Sequence, residues 1–305
     1  MREAWIESAS FLCPICRRAG LRLGRVDRRC DDGEILFGSL DCAGCAAMHP
    51  IVDGIPLLVE DWVSYAAGER LMILRRDDLP EWTSALLDAP LGGDHAERIR
   101  LGLLNTYVAA HYGRSEEAHG ANVNALADYV ESMLARHSGG RQALGLDAGC
   151  AAGGFTSTLS RYADLAIGLD LHFERVREAQ RHRAQRGDAL FVVADAQAAP
   201  FSAAAFQIVL ALNLIDSCAR PRETLERLDT CLQPGGLLVL TTPYQYSSVY
   251  SDPQQWVSEG ELLSFLKERY EILDEQPRLP WVLPISPRHV DTFLVHAVTA
   301  RKRVG

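Results

Sequence analysis

Short apolar runs alternate with helical stretches through the second half of the chain. Five runs have the composition of buried strands: 143–147, 165–170, 190–194, 206–212 and 236–241. Helical segments near 154–163, 172–186 and 220–232 separate most of them. Nearly continuous apolarity is typical of strands that are covered on both faces, and strands that alternate with helices form parallel βαβ units. The pattern therefore predicts an α/β fold with a mostly parallel sheet.

Two further predicted strands at the end of the chain have no helix between them. They cover 270–274 and 290–300, and a proline-rich segment joins them. A parallel pair needs a long crossover connection, usually a helix, so these two strands are expected to pair antiparallel. With the five earlier strands they predict a seven-stranded sheet that ends in an antiparallel hairpin.

Four cysteines near the start of the chain form two CxxC pairs, which are Cys13 with Cys16 and Cys42 with Cys45. A two-residue spacer lets both thiolates of a pair reach one ion, and two pairs make the closed set of four sulfurs that structural zinc prefers. A closed site has no open coordination position, which predicts a role in folding or docking rather than catalysis. Buried thiols without a metal are the alternative. Cys30 and His49 lie outside the spacing of the pairs.

The residues after the second pair carry a family resemblance. Together with the four cysteines, the run HPIVDGIP from His49 resembles the small zinc-ribbon family related to the activator subunit of tRNA and protein methyltransferases. The resemblance covers about residues 10–60 and implies a zinc-ribbon domain over 1–60. Six arginines between Arg17 and Arg29 raise the alternative of RNA binding, but acidic neighbours dilute them and favour a solvated face.

Residues 61–140 have the spacing of amphipathic helices, interrupted by glycine and proline. Helical segments are expected near 64–76, 95–112 and 121–137. This region predicts a helical bridge that caps the α/β domain, which we place at 141–305. Within the bridge, Tyr107 and His111 share a predicted helix face. His111 is a candidate general base with Tyr107 beside it, although such a face also occurs as ordinary packing.

Acidic residues end the first three strands of the predicted sheet. Asp147 is followed by a loop of small residues, AGCAAGG, in which Gly149 and Gly153 let the backbone approach a ligand. An anion at this position disfavours a pyrophosphate and suits a cationic ligand. Asp170 ends the second strand, where it is placed to bind ribose hydroxyls. Asp195 follows the third strand, where a carboxylate can accept the amino proton of adenine.

These acidic strand ends and the small-residue loop resemble those of the class I S-adenosylmethionine-dependent methyltransferases, which have a Rossmann-like sheet. The resemblance covers about residues 141–302 and includes the turn formed by Pro234, Gly235 and Gly236. It implies that Asp147 and Gly149 lie near the methionine portion of the donor, that Asp170 binds the ribose, and that Asp195 and Ala196 contact adenine. Ala151 stands in place of a fuller glycine pattern.

Residues that follow the fourth and fifth strands are expected to face the methyl acceptor, because ligands bind beyond the carboxyl ends of parallel strands. The candidates are Asn213, Asp216 and Tyr244. With the downstream Trp256 they resemble the methyltransferase domain of 4-mercaptohistidine N-methyltransferases, although VSE follows the tryptophan here in place of that family's LGG. The resemblance implies a small polar acceptor. Capping by Asn213 or Asp216 and packing by Tyr244 are the alternatives.

Composition narrows the candidate functions. The chain has 40 acidic and 31 basic residues, a net charge of -9, which is unfavourable for binding nucleic acid. It has no apolar run of membrane-spanning length and no secretory signal pattern, so we expect a cytoplasmic protein. The sequence predicts a methyltransferase that uses S-adenosylmethionine and structural zinc and acts on a small-molecule nitrogen, oxygen or sulfur. An RNA methyltransferase that grips RNA with the ribbon, or a non-catalytic binding or activator module, are the alternatives.

Overall fold

The structure is a computed structural model that describes residues 1–60, 65, 125–183, 189–248, 251–286 and 289–304. Two sheets organise these residues, a small one near the start of the chain and a large one after residue 141. No helix in the described ranges combines the length and apolar character needed to cross a membrane.

The large sheet has seven strands in the order β10-β11-β9-β8-β5-β6-β7. Its strands are β5 (Gln142–Ala148), β6 (Ala163–Asp170), β7 (Ala189–Val193), β8 (Phe206–Leu212), β9 (Leu232–Thr242), β10 (Tyr270–Ser286) and β11 (His289–Lys302). Strands β5 to β9 pair parallel, whereas β11 pairs antiparallel with both β9 and β10. The prediction of a parallel sheet closed by an antiparallel hairpin is confirmed, and the fold is Rossmann-like.

Helices cover both faces of this sheet. They are α2 (Ala125–His137), α3 (Gly154–Leu159), α4 (Phe173–Arg183), α5 (Pro221–Cys231) and α6 (Glu259–Arg269). Leucines of α5 and α6 pack in one buried cluster, whereas Val130 of α2 and Val176 of α4 pack in the other. The strands between them are therefore buried on both sides, which explains their nearly continuous apolar composition.

The closing hairpin is longer than predicted. The proline-rich segment, expected to be a connection, is itself part of β10, and Pro280 and Pro284 pair with Leu294 and Val290. Strand β10 lies at the edge of the sheet, which is where proline is tolerated within a strand. Because β9 pairs with β11 only from His296 to Arg301, the rest of the hairpin extends beyond the sheet.

The small sheet contains β1 (Leu21–Arg29), β2 (Ile35–Cys42), β3 (Met48–Val52) and β4 (Ile55–Pro56), all antiparallel. Helix α1 (Glu3–Ala9) precedes it and buries Trp5 and Ile6. The strand character of the residues that form β2 was predicted. Strand β1 was not, since most of its side chains are polar and exposed, and its pairing with β2 sets its conformation.

The small sheet docks on the β7 edge of the large one. Leu57 forms a parallel bridge with Val193, and the N–H of Leu58 donates to the carbonyl of Val193 at 2.7 Å. The N–H of Leu12 donates to the carbonyl of Pro200 at 2.8 Å. The N-terminal segment therefore covers an edge that would otherwise expose unpaired backbone groups.

Candidate functional site

A cleft opens at the carboxyl ends of β5, β6 and β8, with about 590 Å³ of empty space including its open mouth. This edge of an open α/β sheet is where ligands usually bind. The cleft is lined by residues at or after the ends of these strands, by residues of the surrounding helices and by one residue of β10. They are Leu126, Asp147, Gly149, Ala151, Phe155, Asp170, Arg175, Leu212, Asn213, Leu214, Ser217 and Trp281.

Asp147 is a buried carboxylate with one neutral partner. Its side chain is 2% exposed, and its Oδ2 accepts a hydrogen bond of 2.6 Å from the hydroxyl of Thr156. Burial raises the pKa of Asp147 from 3.8 to about 7, and the nearby charge of Asp170 adds to this effect. A cation in the cleft would offset both contributions, so the position favours a positively charged ligand.

Asp170 holds the loop that follows β5. Its Oδ2 accepts a hydrogen bond of 3.1 Å from the N–H of Ala151, and its Oδ1 accepts one of 2.9 Å from the N–H of His172. The carbonyl of Leu169 accepts further bonds from the N–H groups of Gly149 and Cys150. The end of β6 therefore fixes the loop that was predicted to approach a ligand.

Glycine is required at two positions of this loop for steric reasons. Gly149 has a φ of 76°, and a Cβ there would lie 2.8 Å from Cδ1 of Leu214. Gly153 has a φ of 83°, and a Cβ there would meet the Cβ of Ala179 at 2.7 Å. Gly149 lines the cleft, whereas Gly153 lets the loop pack against α4, so the two glycines have different tasks.

Asp195 and Ala196, the predicted adenine contacts, lie at the end of β7 and are not among the residues that line the cleft. The Oδ1 of Asp195 accepts a hydrogen bond of 2.9 Å from the N–H of Gln197. The side-chain amide of Gln197 also donates to both carboxylate oxygens, at 3.1 and 3.0 Å. Asp195 therefore caps a short 3₁₀ helix, and its contact with adenine stays a prediction.

The acceptor-side candidates divide between the cleft and its surroundings. Asn213 lines the cleft, and its Oδ1 accepts a hydrogen bond of 2.8 Å from the hydroxyl of Thr241. Asp216 is buried outside the lining, where its Oδ2 accepts a bond of 3.2 Å from the N–H of Gln245. Burial raises the pKa of Asp216. Asp216 thus holds the segment after β9, while Asn213 reaches the cleft.

Tyr244 makes a contact that the sequence did not indicate. Its hydroxyl lies 2.6 Å from Nδ1 of His296, and Nε2 of His296 lies 3.2 Å from Oε1 of Glu275. Burial raises the pKa of Tyr244, and the charge of Glu259 adds to the effect. His296 lies within a strand whose pattern is that of an ordinary buried segment, so only its tertiary contacts distinguish it.

Two tryptophans have different environments. Trp256 stacks on Tyr246 with ring centroids 5.3 Å apart, and its Nε1 donates to the hydroxyl of Ser251 at 2.7 Å. Trp281 of β10 lines the cleft and packs against Phe293. The extended hairpin brings Trp281 there, and sequence analysis missed it because the segment was expected to be a connection. The other predicted candidates, Tyr107 and His111, lie outside the described residues.

The four cysteines of the two CxxC pairs come together. Their sulfur atoms all lie within 4.8 Å of one another, with Cys13 and Cys45 at 3.7 Å and Cys16 and Cys42 at 3.6 Å. A tetrahedral zinc site with Zn–S bonds of 2.3 Å has sulfurs about 3.8 Å apart. The donor set therefore fits a structural zinc ion. His49 is buried beside it, with Nε2 3.5 Å from the sulfur of Cys13.

Comparisons with known proteins assign a domain type to the part of the chain that contains the cleft. Residues 146–240 match the family described as a methyltransferase domain. The chain is 30% identical over 170 residues to the malonyl-[acyl-carrier protein] O-methyltransferase of Enterobacter lignolyticus, a match that covers 56% of this chain and 61% of the relative. The match to the Pseudescherichia vulneris protein of the same description is 27% identical and covers 44% of this chain and 53% of the relative. The comparisons support a methyltransferase. The chain thus spans little more than half the length of these relatives.

Solved structures with a similar fold include two that cover most of the chain. The [4+2]-cyclase SpnF is 18% identical, with a TM-score of 0.49 over 69% of this chain and 96% of that one. A Haloferax volcanii methyltransferase complex with the activator Trm112 is 16% identical, with a TM-score of 0.48 over 66% of this chain and 96% of that one.

Proposed function

We propose that this protein transfers a methyl group from S-adenosylmethionine to a nitrogen, oxygen or sulfur atom of a small molecule. The observation that carries the proposal is the placement of Asp147 and Asp170 on one cleft, on either side of the loop that contains Gly149. Two carboxylates beside a loop whose Gly149 and Ala151 line the cleft suit a ligand that has both a positive charge and ribose hydroxyls.

The residues of the cleft would divide the binding of the donor among them. Asp147 and Gly149 would hold its cationic methionine portion, Asp170 its ribose, and Asp195 with Ala196 its adenine. S-adenosylmethionine supplies, when bound, a methyl carbon on a positively charged sulfur. The chain's own task is then to position an acceptor and exclude water, since alignment and a dry site provide most of the rate enhancement for such a transfer.

The other wall of the cleft suits an acceptor of modest size. Asn213 and Ser217 offer polar groups after β8, while Trp281 and Leu126 offer apolar surface. A few polar groups on an apolar wall are typical of small-molecule sites. The curated relatives are described as O-methyltransferases, so oxygen is one of the acceptor atoms that the proposal includes.

The N-terminal segment would serve as a zinc ribbon that supports the donor site. The guanidinium of Arg17 donates to the carbonyl of Ala198 at 2.7 Å, on the segment that follows Asp195. The proposal divides the chain into a ribbon at 1–60, a helical bridge at 61–140 and a methyltransferase domain at 141–305. Zinc would hold the ribbon closed, since a four-sulfur site leaves no position for a substrate.

RNA is the second candidate acceptor, and strand β1 is the observation that favours it. Arg22, Arg25, Arg28 and Arg29 are all exposed on this edge strand. Part of that charge is already paired, since Arg25 contacts Asp27 and Arg29 contacts Glu3. Binding to phosphates would weaken steeply as the salt concentration rises. This candidate is removed if the protein does not bind structured RNA, or if its affinity for RNA does not change with salt.

Isothermal titration of the full chain with S-adenosylhomocysteine tests the proposal. We expect saturable binding with one site per chain, and loss of most of that affinity in Asp170→Asn. Release of S-adenosylhomocysteine from S-adenosylmethionine in the presence of pooled small metabolites then tests turnover. Absence of binding contradicts the donor site, while binding without release from any acceptor pool favours a non-catalytic binding or activator module.

A further inference from the structure

Three side chains from different segments, Tyr244, His296 and Glu275, form a hydrogen-bonded chain outside the cleft lining. The Tyr244 hydroxyl meets Nδ1 of His296 at 2.6 Å, and Nε2 of His296 meets Oε1 of Glu275 at 3.2 Å. The side chain of His296 is 1% exposed, whereas that of Glu275 is 36% exposed. A buried imidazole thus connects a half-buried phenol to a carboxylate that reaches solvent.

The position of this chain relates it to the cleft. Tyr244 lies just beyond β9, where Thr241 is bonded to the cleft residue Asn213. Tyr244 also has a φ of 54°, a conformation that is costly for an aromatic residue. Such strain is found where the surrounding contacts fix a side chain for a task. Two contacts hold Tyr244 here, the bond of its hydroxyl to His296 and the bond of its N–H to the hydroxyl of Thr242 at 3.0 Å.

The hydrogen-bond partners determine which tautomer of His296 is favoured. A carboxylate can only accept, so Nε2 of neutral His296 carries the proton that Glu275 accepts. Nδ1 then has a lone pair and must receive the proton of the Tyr244 hydroxyl. The Tyr244 oxygen is left with lone pairs alone toward any third group. It can therefore accept a hydrogen bond from a substrate but not donate one.

We infer that the acceptor of this enzyme is a nucleophile that carries a proton, an amine or a hydroxyl group, and that Tyr244, His296 and Glu275 take up this proton during methyl transfer. The inference rests on the proposed methyl-transfer function. A carboxylate acceptor has no proton to lose and would place its oxygens against the lone pairs of Tyr244. The geometry thus selects against carboxylates.

Methyl transfer to such an acceptor moves one proton from the acceptor and one from Tyr244. The acceptor forms its new bond to the methyl carbon with its own lone pair, and the electrons of the broken carbon–sulfur bond stay on sulfur. The acceptor's proton passes to the Tyr244 oxygen while the Tyr244 proton passes to Nδ1 of His296. The product state holds an imidazolium beside the Glu275 carboxylate, which stabilises it before solvent removes the proton.

The groups around His296 determine the expected effect of each substitution. Glu275 of β10 faces Nε2, and the phenol of Tyr244 faces Nδ1. Burial raises the pKa of Tyr244, and the charges of Glu259, at the start of α6, and Tyr246 raise it further. Removing the Glu275 charge takes away stabilisation of the imidazolium, so Glu275→Gln should slow the transfer of the proton to His296. Replacing Tyr244 by phenylalanine leaves Nδ1 without its donor.

Nitrogen-15 NMR of the histidine side chains in the intact protein tests the chain of bonds without any acceptor. The His296 signals are identified by their loss in His296→Gln. We expect the neutral tautomer with the proton on Nε2, the one that the contacts with Tyr244 and Glu275 favour. A neutral tautomer with the proton on Nδ1 overturns the inference.

The acceptor class is tested by release of S-adenosylhomocysteine from S-adenosylmethionine with two sets of probes. Histamine, tyramine and catechol carry protonated nucleophiles, whereas malonate and glutarate offer carboxylates. We expect release with the first set only, and a rate about a hundredfold lower in His296→Gln, the usual size of a general-base effect. His296→Gln should lower kcat and leave KM for the acceptor nearly unchanged, because it removes a proton acceptor and not a substrate contact.

His182 and Glu178 on α4 provide the matched control, since their Nε2 and Oε1 atoms are also 3.2 Å apart but they lie outside the site. His182→Gln should leave both kcat and KM unchanged. Release from the carboxylates, release from neither set while the donor still binds, or equal effects of both histidine substitutions overturns the inference. If the unmodified protein does not bind the donor at all, the result contradicts the proposed function instead.

Discussion

The carboxylate of Asp170 accepts a hydrogen bond from the backbone N–H of Ala151 at 3.1 Å, so the end of β6 is tied to the loop that follows β5. Ala151 has a φ of 45°, and this bond helps to hold it there. One acid therefore positions the loop and, in the proposed site, also meets the ribose of the donor.

Asp170→Asn is expected to weaken S-adenosylhomocysteine binding by roughly 10- to 100-fold, because it removes both a ribose acceptor and the charge-assisted bond to Ala151. Isothermal titration measures the change. Asp164→Asn is the control. Asp164 lies at the other end of the same strand, where it is exposed and contacts Arg141. Equal losses in the two variants would remove Asp170 from the donor site.

Donor affinity should depend on pH through Asp147, whose burial raises its pKa from 3.8 to about 7. The ionised form is the one that attracts a cation. Affinity for S-adenosylmethionine should therefore rise with pH up to about 7, approaching tenfold per unit at the acid end, and level off above it. Titration in buffers of different ionisation enthalpy should show proton release at pH 6. Asp147→Asn should abolish both effects, and a pH dependence that survives it would assign them to another group.

The folding stability of the ligand-free protein should also depend on pH through Asp147, but in the opposite direction, falling as the pH rises. Because the folded pKa of Asp147 is raised, its neutral form favours the fold at low pH. This contribution is complete below about pH 4 and is lost as the pH rises to about 7. Asp147→Asn should therefore remove a loss of stability between these pH values, as measured by urea unfolding. An unchanged slope contradicts the shift.

Gly149→Ala tests the close packing of the donor loop. The added Cβ would lie 2.8 Å from Cδ1 of Leu214, so we expect a loss of about 1–3 kcal/mol beyond the backbone strain, together with weaker donor binding. Gly139→Ala is the control, because its φ of 72° is nearly the same and nothing lies within 4 Å of its Cβ. It should lose only about 1–2 kcal/mol from the left-handed conformation. Similar losses would mean that the contact with Leu214 relaxes.

Cys16→Ser should remove bound zinc and lower the melting temperature, since the sulfurs of the four-cysteine cluster are spaced for one ion. Mass spectrometry of metal content and thermal unfolding measure the two effects. Cys30→Ser is the control, because the Cys30 thiol bonds to Asp32 at 2.7 Å and is not part of the cluster. It should keep one zinc per chain. The metal site is contradicted if the purified full chain contains no zinc and Cys16→Ser leaves its melting temperature unchanged.

Arg183→Met tests the contact between the ribbon and α4. Arg183 forms a salt bridge with the buried carboxylate of Glu34 and lies over the ring of Trp5. Its removal leaves Glu34 with fewer partners, and a loss of roughly 2–3 kcal/mol in unfolding free energy is expected. Arg181→Met, on the same helix but exposed, should cost under about 0.5 kcal/mol. Equal effects would show that the contact does not stabilise the fold.

The alternation of strands and helices was predictable because each element has its own local pattern. Strand β8, for example, begins and ends where the apolar run 206–212 does. The acidic strand ends and the CxxC pairs were equally visible, since their residue types and spacing are local too. Strand β1 and the length of β10 were not, because pairing with a neighbouring strand sets them rather than their own composition.

The sequence by itself determined the order of the elements, the acids that end β5 and β6, and the cysteines available for a metal. Only the tertiary structure decided which of these side chains share a space. It placed Asn213 on the cleft and Asp216 beside it, and it joined Tyr244 to His296, 52 residues away. The physical reason is that helices and strands follow from periodicity along the chain, whereas burial and contacts between distant residues follow from how the layers pack.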